Sequence, residues 1–205
     1  MCIRDRFGRI QKMFGDSGCD IIVLPPNEEK ARKVRSQPGD FSPLAAVLAG
    51  TGGVSVNGML RLLGSGTIDF FERNQRLAET GMTIVAEDVF GGIFGLGKDG
   101  TLLYLAPDEL AVEEFGDDYA ELLEFACSSE DMDRFYRDYV KECLGVLFDQ
   151  LPADKGVSLY PPLWEPSDEK RSAAAVPMKQ LQDVEIGVMK KQAGQKDEND
   201  GGAEE

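Results

Sequence analysis

A chain of 205 residues with a net charge of −15 and no histidine is closed to several kinds of chemistry from the start. It has no side chain that ordinarily acts as a base near neutral pH, no imidazole for zinc, and no Ser-His or Cys-His nucleophile pair. Nineteen acidic residues face four basic ones between Glu79 and Asp154, a balance that disfavours nucleic acid and anionic lipid and would steer a basic protein surface instead.

Solubility alone would also account for that charge. Cys2, Cys19, Cys127 and Cys143 form no Cys-x-x-Cys pair, so neither a disulfide framework nor a metal knuckle is expected, and no cofactor is implied. A reducing, cytoplasmic compartment is the simplest expectation. The apolar stretch Leu44–Ala49 is far too short to cross a bilayer.

Met1–Arg6, MCIRDR, carries charges where a signal peptide needs an apolar segment. It resembles a translated sequencing-adaptor remnant and is read as a non-native leader, with one domain expected over residues 7–191. Phe7, Ile10, Met13 and Phe14 then recur at helical spacing up to Gly15. Ile21–Leu24 reads as a strand stopped by Pro25-Pro26, and Asn27 as the cap of a helix over Glu28–Val34. Pro38-Gly39 and Pro43 mark turns. Asn57-Gly58, between Val54–Val56 and Met59–Leu62, is a hairpin signal because both turn residues need positive φ.

Phe70–Leu77 is expected to be helical. Met82–Ala106 follows as strand, bend, strand, turn, strand, with Glu87-Asp88 and Gly91-Gly92 at the bend and Ala106-Pro107-Asp108 closing the sheet. Asp118 caps the next helix, with Glu121 in capping-box position. A second helix from Ser129 carries Met132, Phe135, Tyr136, Tyr139, Val140, Cys143 and Leu147 on one stripe, interrupted at Gly145. Val157–Tyr160 suggests a final strand before Pro161-Pro162-Leu163-Trp164. Residues 192–205 have no apolar content to bury and are expected to form a disordered acidic tail. The fold class expected is α+β, a mainly antiparallel meander with helices packed against one face.

No pattern is a catalytic signature. Gly50-Thr51-Gly52-Gly53 lacks the lysine and the following helix of a phosphate loop, and Gly64-Ser65-Gly66 lacks the setting and the base of a nucleophile elbow, so both read as structural turns. Glu87 and Asp88 are neighbours on a strand and point to opposite faces. Each could serve a carboxylate-dependent hydrolase in combination with an acid elsewhere, or stabilise the glycine bend through its amides. Trp164 would seal a core edge or line a ligand groove. Glu109, Glu113, Glu114, Asp117 and Asp118 make a dense acidic patch, either a solvated face or a docking surface.

TIVAEDVFGGIFGL at Thr83–Leu96, LLYLAPD at Leu102–Asp108 and YAELLEFA at Tyr119–Ala126 resemble the core of the SUKH superfamily. VLPP at Val23–Pro26, GGVSVNGMLRLLGSG at Gly52–Gly66 and SLYPPLW at Ser158–Trp164 add a resemblance to a bacterial domain-of-unknown-function family, over Ile21 to Leu181. The SUKH likeness implies a binding module, among them immunity proteins that neutralise toxins, and no shared catalytic set. The function expected is therefore non-catalytic protein binding through an acidic surface, with a basic partner such as a toxin. Glu113, Glu114, Asp117 and Asp118 lead the candidate residues, followed by Glu87, Asp88 and Trp164. A carboxylate-dependent hydrolase and a small-ligand-binding protein are the alternatives.

Overall fold

Seven strands pair in sequence order, each antiparallel to the next: β1 (Ile21–Val23), β2 (Val54–Val56), β3 (Leu60–Leu62), β4 (Thr83–Asp88), β5 (Ile93–Leu96), β6 (Leu102–Ala106) and β7 (Ala111–Gly116). The computed structural model describes residues 2–37, 42–143 and 145–200. Asn57 and Gly58 take φ of 51° and 66°, and the positive pair turns β2 back onto β3 with Val56 opposite Leu60. β7 is a correction to the expectation that the sheet ends at Asp108. The acidic run disguised it, because an edge strand needs apolar residues on neither face.

The helices α1 (Ile3–Asp16), α2 (Glu28–Arg35), α3 (Pro43–Gly50) and α4 (Phe70–Arg76) occupy the excursions of the first half. Asn27 accepts from the amides of Glu29 and Lys30 as its cap position requires. Pro43, expected in a turn, is instead the first residue of α3, where a missing N–H removes no helical bond. The turn expected at Pro38-Gly39 lies outside the described residues. α1 begins at Ile3, within the segment set aside as a leader, and Ile3 packs beside Leu44 and Leu48.

α5 (Tyr119–Cys127) and α6 (Ser129–Glu142) follow β7. Asp118 accepts from the amides of Ala120 and Glu121, while Glu121 accepts from Asp117 N–H. α6 ends at Glu142, ahead of Gly145 at φ 88°, so Leu147 falls beyond the stripe predicted for it and is exposed. Tyr136 and Met132 are buried as their spacing demands.

Val85, Phe94 and Tyr104 share the main core with Leu122, Leu123, Met132 and Tyr136 from α5 and α6. Their strand neighbours Ile84, Ile93 and Leu105 join a second, smaller cluster. Alternate residues of a strand point to opposite faces, so this second cluster lies on the other side of the sheet. There Leu77, just past α4, and Ile186 of the last helix cover it. β4 is consequently buried along nearly its whole length.

The last part of the chain forms a separate hairpin, β8 (Lys155–Tyr160) with β9 (Ser172–Pro177), and then α7 (Met178–Asp200). Residues 192–200, expected to be disordered, continue α7, and 201–205 lie outside the described residues. Once a helix is nucleated each further residue adds a hydrogen bond, so a polar segment of good helix formers can extend it.

Candidate ligand-binding site

The bend between β4 and β5 is built around Asp88. Its Oδ1 accepts from the amides of Phe90 and Gly92, both at 2.9 Å, and its Oδ2 accepts from the Tyr104 hydroxyl at 2.8 Å. A carboxylate that satisfies two turn amides holds the chain through the reversal. Burial pushes the Asp88 carboxyl up to about 6 in spite of those three bonds. Burial together with the Asp88 charge holds the Tyr104 phenol well above its ordinary range.

Glu87 points the other way and meets α4. Arg73 grips it with two bonds, Nε to Oε2 at 3.0 Å and Nη2 to Oε1 at 3.2 Å, and both residues are buried. Gln182 of α7 donates to the same Oε2 at 3.2 Å. Arg76 of α4 contacts Gln182 and, at 3.4 Å, Asp183. Polar bonds thus dock α7 against α4. Opposite Glu87 on β3, buried Arg61 reaches outward and donates to the carbonyls of Pro152, Ala153 and Lys155 at 2.7–3.1 Å, fixing the entry to β8. The Val157 amide also donates to the Val89 carbonyl at 2.6 Å, joining β8 to the bend.

One helical turn beyond Gln182 comes Glu185, which is only 1% exposed. Its Oε2 is buried without a hydrogen-bond partner. Burial, and after it the Asp88 charge, pushes its carboxyl well above the usual carboxylate range. The bend leaves room for both acids through its two glycines. A Cβ on Gly91, which has φ 105°, would stand 2.2 Å from Glu185 Oε1, and one on Gly92 would stand 2.2 Å from Asp88 Oδ2.

Glu185 lines a cavity of about 210 Å³ between α7, the β8–β9 hairpin and the bend. Its walls are otherwise mainly apolar, with Phe90, Leu159, Leu163 and Trp164 among them. An apolar lining with a few convergent polar atoms is what small-molecule sites have in common.

Of the residues singled out in the sequence, Trp164 is half-buried and lines this cavity. Glu87 and Asp88 are fully buried and do not line it. Glu113 and Glu114 lie exposed on edge strand β7, and Asp117 and Asp118 lie exposed at the start of α5. The glycine runs at Gly50–Gly53 and Gly64–Gly66 approach each other as bare backbone: a Cβ on Gly64 would be 2.1 Å from Gly53 N. That contact is structural.

Sequence comparison adds a family. The pattern described as "Protein of unknown function DUF2625" matches residues 5–182, most of the chain. The chain belongs to the DUF2625 family. The uncharacterized protein YbfG of Escherichia coli (strain K12) is 31% identical over 191 residues, covering 86% of this chain and 88% of that protein. No solved structure matches the chain. The DUF2625 match takes in the bend, the Glu87–Arg73 pair and Gln182, and stops just short of Glu185.

The resemblance to a bacterial family of unknown function thus holds for DUF2625. Glu185 itself was missed in the sequence. Met178, Leu181, Ile186 and Met189 recur at helical spacing, and two polar residues, Gln182 and Glu185, interrupt their stripe. A charge on an apolar face was the available signal. Among the described residues no three His, Cys, Asp or Glu side chains are placed to hold a metal ion, and no helix is long and apolar enough to cross a membrane.

Proposed function

We propose that this DUF2625 protein is a non-catalytic binding module that holds a small molecule in the cavity between Glu185 and Trp164. One observation supports the reading above others: Glu185, whose carboxyl is buried with one oxygen unpartnered among the described residues, is one of the residues lining a mainly apolar cavity. An unsatisfied buried polar group costs about 1–3 kcal/mol, and a bound donor would relieve that cost. A cavity of about 150 Å³ is enough for benzene, so about 210 Å³ suits a compact organic ligand. A hydrolase built on Glu87 or Asp88 would need one of them to reach the cavity, and neither lines it.

Trp164 is the only tryptophan and lies on the cavity wall, so its fluorescence is a direct reporter. A titration against a set of metabolites of mixed charge is expected to give at least one saturable change in Trp164 emission, matched by a rise in melting temperature. If no compound of any class changes either signal, the reading fails.

A second reading concerns edge strand β7 and the turn after it. The exposed acids Glu113, Glu114, Asp117 and Asp118 support docking of a basic protein, and the SUKH resemblance would make toxin neutralisation in the cytoplasm its specific form. The free thiols of the four cysteines are compatible with that compartment. Reversing the charge at Glu113 and Glu114 is expected to weaken capture of a basic partner and flatten its salt dependence. Unchanged capture would remove this surface from consideration.

A further inference from the structure

The charges around Glu185 decide what kind of molecule the cavity can accept, provided that the cavity is a ligand site as proposed above. Glu185 is the one ionisable side chain among the residues lining it. From β4 it faces Asp88, whose charge reaches it and repels its own. The hairpin β8–β9 brings only Val157, Ser158, Leu159 and Val176 to the cavity, none of them titratable.

The nearby arginines are already committed. Arg73 is held by Glu87, Arg76 by Gln182 and Asp183, and Arg61 by the carbonyls of Pro152, Ala153 and Lys155. Among the described residues lining the cavity there is no lysine or arginine, so an anion entering it would meet no charged donor on its walls. A cation would stabilise the ionised form of Glu185 in a low-dielectric setting, where a charge-assisted hydrogen bond is about twice as strong as a neutral one. Phe90 and Trp164 add aromatic rings to the wall, which favour cations by their quadrupoles.

We propose that the ligand is a small organic cation, an amine or amidine with an apolar body about the size of a benzene ring, whose N–H groups donate to the Glu185 carboxylate. When the cavity is empty, burial and the Asp88 charge favour the protonated form of the Glu185 carboxyl. Binding a cation expels that proton to solvent, so the site exchanges one positive charge for another and stays near neutral. Affinity for a permanently charged ligand must then rise with pH until the carboxyl is ionised in the free protein as well.

The probe is benzamidinium, which stays cationic over the usable range, with benzyl alcohol and benzoate as neutral and anionic counterparts of the same ring. Each is titrated against the full-length protein, read by Trp164 fluorescence and by calorimetry. Benzamidinium is expected to bind at least about tenfold tighter at about pH 8 than at about pH 5.5, with proton release in the calorimeter. It should also bind about tenfold tighter than benzyl alcohol, and Glu185→Gln should remove that preference. The wild-type pH profile serves even if the variant folds poorly. Equal or tighter binding of benzyl alcohol or benzoate, or affinity independent of pH, would overturn the cation while leaving the cavity a ligand site. Absence of binding by all three, together with a silent metabolite set, would overturn both.

Discussion

The carboxyl of Glu185 rests against the bare Cα of Gly91, where an added methyl group would stand 2.2 Å from one oxygen and 2.3 Å from the other. The two residues are far apart in the chain, and the contact is what brings α7 down onto the β4–β5 bend. Gly91 is doubly required, for the carboxyl and for its own φ of 105°.

Gly91→Ala is therefore expected to destabilise the protein by about 1–3 kcal/mol from backbone strain, with a further loss from displacing the carboxyl. Glu185→Ala in the same chain should recover the second part and leave the first. Urea unfolding of the two single variants and the double variant measures the coupling; strictly additive losses would mean that the acid and the glycine do not press on each other.

Breaking the buried Arg73–Glu87 pair from one side should cost more than removing both members. Arg73→Met leaves Glu87 buried with Gln182 as its remaining bond, an expected loss of about 3–5 kcal/mol. Arg73→Met with Glu87→Leu should regain much of that. A double variant as unstable as the single one would indicate that the pair holds α4 and β4 by shape more than by charge.

Stability should fall as pH rises through the range where Asp88 titrates. Its carboxyl ionises near 3.9 in an unfolded chain and at about 6 in the fold, so the folded state holds the proton more tightly. The favourable contribution is complete below about pH 4 and is lost as pH passes through about 6, a change on the order of 3 kcal/mol. Glu185 acts in the same direction, and the two interacting acids titrate as a pair. Asp88→Asn, which can keep the bonds from Phe90 and Gly92, should flatten the decline between about pH 4 and pH 8 in urea midpoints. A slope identical to wild type would assign the titration to other groups.

Arg61→Met should release the entry to the β8–β9 hairpin. The carbonyls of Pro152, Ala153 and Lys155 lose their donor, an expected loss of at least about 2 kcal/mol. Amide exchange in β8 should accelerate ahead of that in β4. Lys at this position offers one nitrogen where the guanidinium offers two in a plane, so Arg61→Lys should restore little. Uniform acceleration across the whole sheet would mean that the hairpin does not open separately.

Local determinants were legible in the sequence. Asn57-Gly58 needs only its own two φ angles to turn a hairpin, and Asn27 and Asp118 cap helices through amides two or three residues away. The hairpin strand Lys155–Tyr160 could be anticipated from the apolar run Val157–Tyr160, but its partner β9, with three alanines, carries too little side chain to announce itself. β7 escaped because its glutamates are compatible with an exposed edge and with a loop alike.

Glu87 and Asp88 were correctly separated by strand alternation onto opposite faces, yet what each would meet there could not be read from the strand. Arg73 lies 14 residues before Glu87, and Tyr104 lies 16 residues after Asp88. Those partners depend on which elements pack together.

The sequence by itself determined the alternation of helices and hairpins, the acidic stretch from Glu79 to Asp154, the absence of histidine chemistry and the tight bend at Gly91-Gly92. These properties depend on composition or on a few consecutive dihedral angles. Only the tertiary structure decided that α7 returns to that bend, that Glu185 is buried beside Asp88, and that Trp164 and Phe90 line a cavity with it. Burial and the field of a neighbouring charge belong to the packed chain, and they push the carboxyl of this glutamate well above the usual carboxylate range.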